Sequence, residues 1–254
     1  MAGSLIERTL GVLEILADEA EGVPLQQLAE QLAIPKSAAH RICNELIRLG
    51  HVRQHAASQH YQLTTRLVSL GLRYMSSIGT QDVVQPILNR LAEESRELVR
   101  LAVAEHQQLA WIAKAQGSRS GLRYDPDMGR IAPLASTATG LAWLACFNDE
   151  QALLLLKQQQ STTSIPLMND TTTLCAQLAL TRQRGFSAIQ GSMGPGTAAM
   201  ATAIHDRHGI PLGVLSIAGP SVRLTTERID ALAPALLGAA HELALVAPSS
   251  PLFS

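Results

Sequence analysis

Apolar residues recur every three or four positions through the first 50 residues, the spacing of helices that bury one face. Ile6, Leu10, Leu13 and Ala17 form one set and predict a helix over 5–19 with Ser4 as N-cap. Leu25, Leu28, Ala29 and Leu32 form a second set, set apart by Gly22 and Pro24. Ala39, Ile42, Leu46 and Leu49 form a third, in a helix that starts at Pro35 and stops at Gly50. Two short runs follow, HVRQ and HYQL, separated by polar residues. Helix, turn, helix and two-stranded wing is the order of a winged helix-turn-helix. The third helix has a second face, with Ser37, His40, Arg41, Asn44 and Arg48 at helical spacing. Side chains of these types reach base edges and phosphates.

Charge separates this module from an ordinary amphipathic helix pair. Residues 1–34 hold one basic side chain, Arg8, and six acidic ones. Residues 35–66 hold five basic side chains (Lys36, Arg41, Arg48, Arg53, Arg66), one acidic (Glu45) and four histidines. The whole-chain formal charge of −1 conceals this asymmetry. A stripe of one sign along a recognition helix and wing is a footprint for phosphate.

Beyond residue 65 the pattern changes. RLVSLGLRYM predicts a linker helix over 66–79 whose Leu67, Leu70, Leu72 and Met75 cover more than one side, which calls for a partner chain. The rest, 80–254, reads as one α+β domain. A helix over 82–97 precedes a β-hairpin, LVRLAVAE and QLAWIAKA, linked by His106-Gln107. GLRYDP and RIAPLAS read as short extended stretches, and ATGLAWLACF as a helix. A helix from Asp149 has Asn148 and Gln151 placed for a capping box, and a polar loop spans 158–163. A helix over 170–184 ends at Gly185; FSAIQ, AAMATAIHD and PLGVLSIAG are strands; a final helix runs to about Val246; the tail is frayed.

Three cysteines, Cys43, Cys146 and Cys175, lack paired or ligand spacing and read as small buried hydrophobes. Together with an N-terminus that lacks the features of a signal peptide, and no apolar run near about 18 residues, this predicts a cytoplasmic protein with no membrane partner. GSMGPG lacks the Lys and helix of a phosphate loop, and no catalytic or metal-ligand constellation stands out, so no enzyme, metal or cofactor is expected. A sheet covered on both faces leaves room for an apolar ligand pocket, for which Thr202 and Ser216 are the polar candidates. The competing reading makes both of them satisfied core hydroxyls.

Over nearly its full length the chain resembles the IclR-type bacterial transcription regulators. The resemblance is carried by ERTLGVLEIL, LQQLAEQLAIPKSAAHRICNEL, LGHVRQ, YQLTTRLVSLG, PLASTATGLAWLA and GIPLGVLSIAGPSVRLT, in that order. It implies an N-terminal winged helix-turn-helix (1–65), a linker helix and a C-terminal GAF-like effector-binding and oligomerisation domain with an antiparallel sheet. It further implies a homodimer, often a dimer of dimers, on palindromic double-stranded operators, responding to small organic or aromatic acids. The family's Pro-Lys-Ser-Thr-like helix start is here Pro35, Lys36, Ser37 and Ala38, followed by His40 and Arg41. The wing has Gln62 in an arginine's place, leaving Arg53 as its cation.

For the effector the resemblance points to Leu134, Ala135, Thr139, Gly140 and Leu141, the last replacing a lysine. It also puts Ala199 where a cysteine stands in members binding small keto acids, Ser216 and Ala218 at two serine positions, and Ile189 and Gln190 near an aspartate. With Thr202 these residues form a less polar floor, suited to a larger or aromatic acid. The alternative is a winged-helix DNA-binding protein whose second domain only oligomerises.

Overall fold

A capping box starts α1 (Leu5–Ala17): the Ser4 hydroxyl accepts from the Glu7 amide at 3.2 Å, and the Glu7 carboxylate accepts from the Ser4 amide. The computed structural model describes residues 4–77, 80–105, 108–162, 171–191, 194–250 and 253. They form two units, 1–77 and 78–254, each with its own core.

In the first unit α1 buries Val12 and Leu16. Ile6 and Leu10, expected on the inner face, are instead 71 % and 53 % exposed. The core is completed by Leu28 of α2 (Leu25–Gln31) and by Ile42, Cys43 and Leu46 of α3 (Lys36–Arg48). The turn between α2 and α3 is tight: Ala33 sits at φ 50° and the Ile34 amide reaches back to Ala29 O at 3.0 Å. Pro35 is the N-cap of α3. The helix closes in the same way, with Gly50 at φ 79° and the His51 amide on Leu46 O at 2.9 Å. Leu49 stands at the C-cap and is 42 % exposed, so it does not join the inward stripe: the chain leaves the helix there. β1 (Val52–Gln54) and β2 (Tyr61–Leu63) pair antiparallel as the wing. Two backbone bonds between Val23 and Tyr61 fasten the wing to the segment before α2. α4 (Thr65–Ser77) follows, and its Val68, Leu70, Leu72 and Tyr74 are between 51 % and 61 % exposed.

In the second unit α5 (Thr80–Ser95) leads into the hairpin β3 (Leu98–Glu105) and β4 (Gln108–Gln116), whose link His106-Gln107 lies outside the described residues. Three helices follow, α6 (Ala138–Leu144), α7 (Asp149–Thr162) and α8 (Thr171–Arg184). β5 (Ser187–Gln190), β6 (Thr197–His205), β7 (Pro211–Pro220) and α9 (Thr226–Val246) complete the fold. The sheet order is β4-β3-β7-β6-β5, antiparallel throughout. Period-two alternation divides its side chains between two clusters. Met200, Ile204, Leu215 and Ile217 pack on one face with α5 and α9. Ala102, Trp111, Ala201 and Val214 pack on the other with α6, α7 and α8.

Four details differ from the expected pattern. No strand forms over 117–137: the segment runs as a strap, touching β4 through an isolated Ala110–Ile131 bridge. The strap is clamped near its end by Gln159, which accepts from the Leu134 amide at 2.8 Å and donates to Ala132 O at 2.9 Å. That buried clamp continues α7 through Gln158 and Gln159 to Thr162, where a loop was expected. The tail is not frayed at 247–250, where a 3-10 turn buries Ser250, and Phe253 packs against the core. Finally, α9 is long and apolar enough to cross a membrane by length and composition, yet Ile229, Leu232, Leu236, Ala240 and Leu243 are core residues of the second unit.

Candidate DNA-reading face and effector cavity

On α3, Lys36, Ser37, His40, Arg41, Asn44 and Arg48 are all exposed, and Ala38 is half-buried beside them. The buried side holds Ala39, Ile42, Cys43 and Leu46, so the amphipathic split read from the pattern is real. Burial raises the Cys43 thiol to about 11, which makes it an inert packing group. His40 and Asn44, one turn apart, touch at 3.4 Å. Arg48 is not a free cation: its Nε donates to Glu45 at 2.9 Å and its Nη2 meets the other carboxylate oxygen at 2.5 Å. The pair holds the Glu45 carboxyl below its ordinary range. Arg53 on β1 donates to Gln62 at 3.2 Å, a neutral partner that leaves its charge intact. A groove of about 790 Å³ runs between the start of α1 and this face, and includes His40, Arg41 and Asn44 in its lining. It is part of the polar face of α3, in a different unit from the predicted effector positions.

Those positions fall in the second unit. Register sets four of them around one small cavity on the α6 side of the sheet. Ala199 pairs with Ala218, and Ser216 pairs with both Arg100 and Ala201. Thr139 from the first turn of α6 lines the cavity with Ala199, Ser216 and Ala218. Arg100, Tyr124, Thr137, Ala138, Thr197 and Ala198 complete the lining.

Five predicted positions lie elsewhere. Leu134, Ala135 and Leu141 are packed in the hydrophobic cluster under α6. Gly140 is a close-approach site: a Cβ there would lie 2.3 Å from Leu134 Cα. Leu141 also borders a separate groove with Ile189 and Gln190, where the aspartate position was placed. Thr202 is one residue out of phase with Ala199 and Ala201 and bonds to Gly185 O at 2.8 Å, as a satisfied core hydroxyl does. Ser216 lines the cavity, but its hydroxyl also donates to Arg100 O at 3.3 Å.

Arg100 was not anticipated. It is 3 % exposed, its guanidinium carbon lies 3.9 Å from the centre of the Trp111 ring, and Tyr124 lines the same cavity beside it. A register shift after Leu101 sets Trp111 opposite Ala102, on the face that Arg100 shares, where a diagonal neighbour can be reached. Burial pulls the arginine below its ordinary value and pushes Tyr124 above its own; their mutual contact opposes both shifts. The available signal was a lone arginine at an inward position of the apolar run LVRLAVAE.

The sequence profile of the IclR helix-turn-helix domain matches residues 5–56, and that of the bacterial transcriptional regulator IclR C-terminal domain matches 72–245. The chain belongs to the IclR family. It is 31 % identical over 245 residues to the acetate operon repressor of Salmonella typhimurium, spanning 94 % of this chain and 88 % of that one. A solved IclR regulator from Alicyclobacillus acidocaldarius has the same fold at a TM-score of 0.80 and 20 % identity, covering 95 % of this chain and 97 % of its own. An IclR homologue from Microbacterium hydrocarbonoxydans, solved with 4-hydroxybenzoate, matches at 0.70 and 23 % identity over 94 % of this chain and 99 % of its own. Members of the IclR family are DNA-binding transcriptional regulators rather than enzymes, and this chain is one.

Proposed function

We propose that this IclR regulator controls a catabolic operon from the cytoplasm, as a homodimer or dimer of dimers, and that a small organic acid, an aromatic one included, is its effector. Lys36, Ser37, Ala38, His40, Arg41 and Asn44 read the operator, Arg53 meets phosphate from the wing, and Arg48 does so only once released from Glu45. Two copies of α3 reading the halves of a palindrome fix the half-site spacing through the dimer. The observation that carries the effector reading is the cavity beside Ser216 and Thr139, polar on one side and alanine-lined on the other. The 4-hydroxybenzoate held by a protein of the same fold is in keeping with it. An effector acts by binding DNA-competent and DNA-incompetent arrangements unequally.

The test is fluorescence anisotropy of the full-length protein on DNA from upstream of its neighbouring genes, with candidate acids added. A change in operator affinity is expected. A second unit that binds no acid, and whose removal only lowers the assembly state, would instead be an oligomerisation domain.

A further inference from the structure

Among the described residues Arg100 is a buried cation without a counterion, and its Nε and Nη1 atoms have no hydrogen-bond partner. The Trp111 ring satisfies the face of the ion and none of its N–H groups. Tyr124, on the same cavity wall, offers the ion a neutral phenol and no charge. The neighbouring buried carboxylate, Glu97, is committed elsewhere: Arg223 holds it through Nε at 2.6 Å and Nη2 at 2.8 Å. Arginine keeps its charge when buried, and a buried charge left unpaired costs stability. The fold nevertheless retains one at the wall of a cavity.

We propose that Arg100 receives the carboxylate of the effector, and that Tyr124 is the latch occupying the guanidinium until the acid arrives. This rests on the effector reading above and adds its chemistry. A carboxylate supplies the acceptors that the guanidinium lacks, in the geometry arginine recognises. Ala199, Ala218 and Ala138 then face the apolar body of the acid, and the Ser216 oxygen can still accept from a hydroxyl on it. The cavity measures about 10 Å³, room for one water. The acid therefore enters only as Tyr124 leaves. Tyr124 sits in the strap, which has no helix or strand of its own and is tied to β4 by Gln116 on Tyr124 O at 3.0 Å and by the Gly129 amide on Trp111 O at 2.8 Å. Its side chain can swing out while those main-chain ties hold.

The experiment uses full-length protein with acetate, hexanoate, benzoate and 4-hydroxybenzoate, and the corresponding neutral amides. Calorimetric titration, melting temperature and operator anisotropy are read together. At least one acid binds and raises the melting temperature, and its amide binds at least about tenfold more weakly, since the amide leaves the charge unpaired. Arg100→Met loses acid binding by at least about tenfold, while its unliganded melting temperature equals or exceeds that of the wild type, because the unpaired charge is gone. Tyr124→Phe, lacking the competing hydroxyl, binds the acid more tightly. The acid–amide comparison is made on the wild type and needs no variant to fold. Amides that bind as well as acids, a folded Arg100→Met with wild-type acid affinity, or a wild type that binds none of the acids at millimolar concentration would each overturn the proposal. If amides bind equally and still shift operator affinity, the effector reading stands and the arginine assignment falls. If the acid binds through Arg100 and operator affinity never moves, the arginine assignment stands and the effector reading falls.

Discussion

Leu70 on α4 is where the proposed dimer can be weighed. Its side chain is 51 % exposed, so about half of it remains to be covered by a partner. Full burial of a leucine is worth about 1.5–3 kcal/mol, and the uncovered half is therefore worth about 1 kcal/mol. A two-fold interface uses the residue twice, so Leu70→Ala should weaken association by about 2 kcal/mol, or about 30-fold in dissociation constant. Leu70→Glu should do more, because each copy then carries a carboxylate into an apolar contact. Alanine and glutamate are both good helix formers, so α4 itself should survive, and far-ultraviolet circular dichroism checks that it does. Sedimentation equilibrium gives the association constant, and operator anisotropy shows whether DNA binding falls with it. A wild-type dimer whose constant is unchanged in both variants would show that α4 faces solvent in the assembly. A monomeric wild type that still binds a palindrome tightly would remove the dimer from the argument altogether.

Arg41→Ala should cost about 1–3 kcal/mol of operator affinity and relax specificity at one base pair, since Arg41 lies exposed on the reading face; unchanged affinity in a folded variant would reassign that face. With Arg48 paired to Glu45, the proposed DNA contacts that remain as free cations in each copy are Lys36, Arg41 and Arg53. Six phosphates per dimer give a log–log salt slope of about −5, and Glu45→Gln should steepen it to about −7; a flat dependence contradicts the phosphate reading. Gly140→Ala should destabilise the second unit by about 3 kcal/mol in denaturant titration, because its Cβ would meet the Leu134 backbone at 2.3 Å; wild-type stability would mean that α6 can shift.

Periodicity was strong where local rules govern. The N-cap at Ser4, the capping box at Asn148, the closure at Gly50 and the five strands of the sheet could all be read directly, since each depends on residues within a few positions of one another. Long-range effects hid the rest. Gln158 and Gln159 look like loop residues until Gln159 is seen to hold the main chain 25 residues earlier. Ile6 and Leu10 obey the helical period, but the core lies under Val12 and Leu16. For the cavity, strand parity decides. Thr202 and Ser216 are equally polar interruptions in sequence, and only the pairing of Ser216 with Ala201 puts them on opposite faces. Arg100 and Tyr124 meet across a strap that carries no periodic pattern, so nothing local announces them as neighbours.

A cavity closed to the volume of one water separates how tightly an acid binds from how fast it arrives. The association rate should rise with acid concentration and then level off at the rate at which the Tyr124 side chain swings out and opens the cavity. The apparent affinity is likewise lowered by the fraction of molecules open at any moment. Both quantities are then set in part by residues that never meet the acid. Asp125 is one of these, holding the strap to β4 by accepting from Lys114 at 2.6 Å. Loosening that carboxylate would raise the open fraction and lower the acid concentration at which the regulator responds, with every cavity contact unchanged. Dose threshold and chemical selectivity thus reside in different parts of the same unit, and each can be adjusted without disturbing the other.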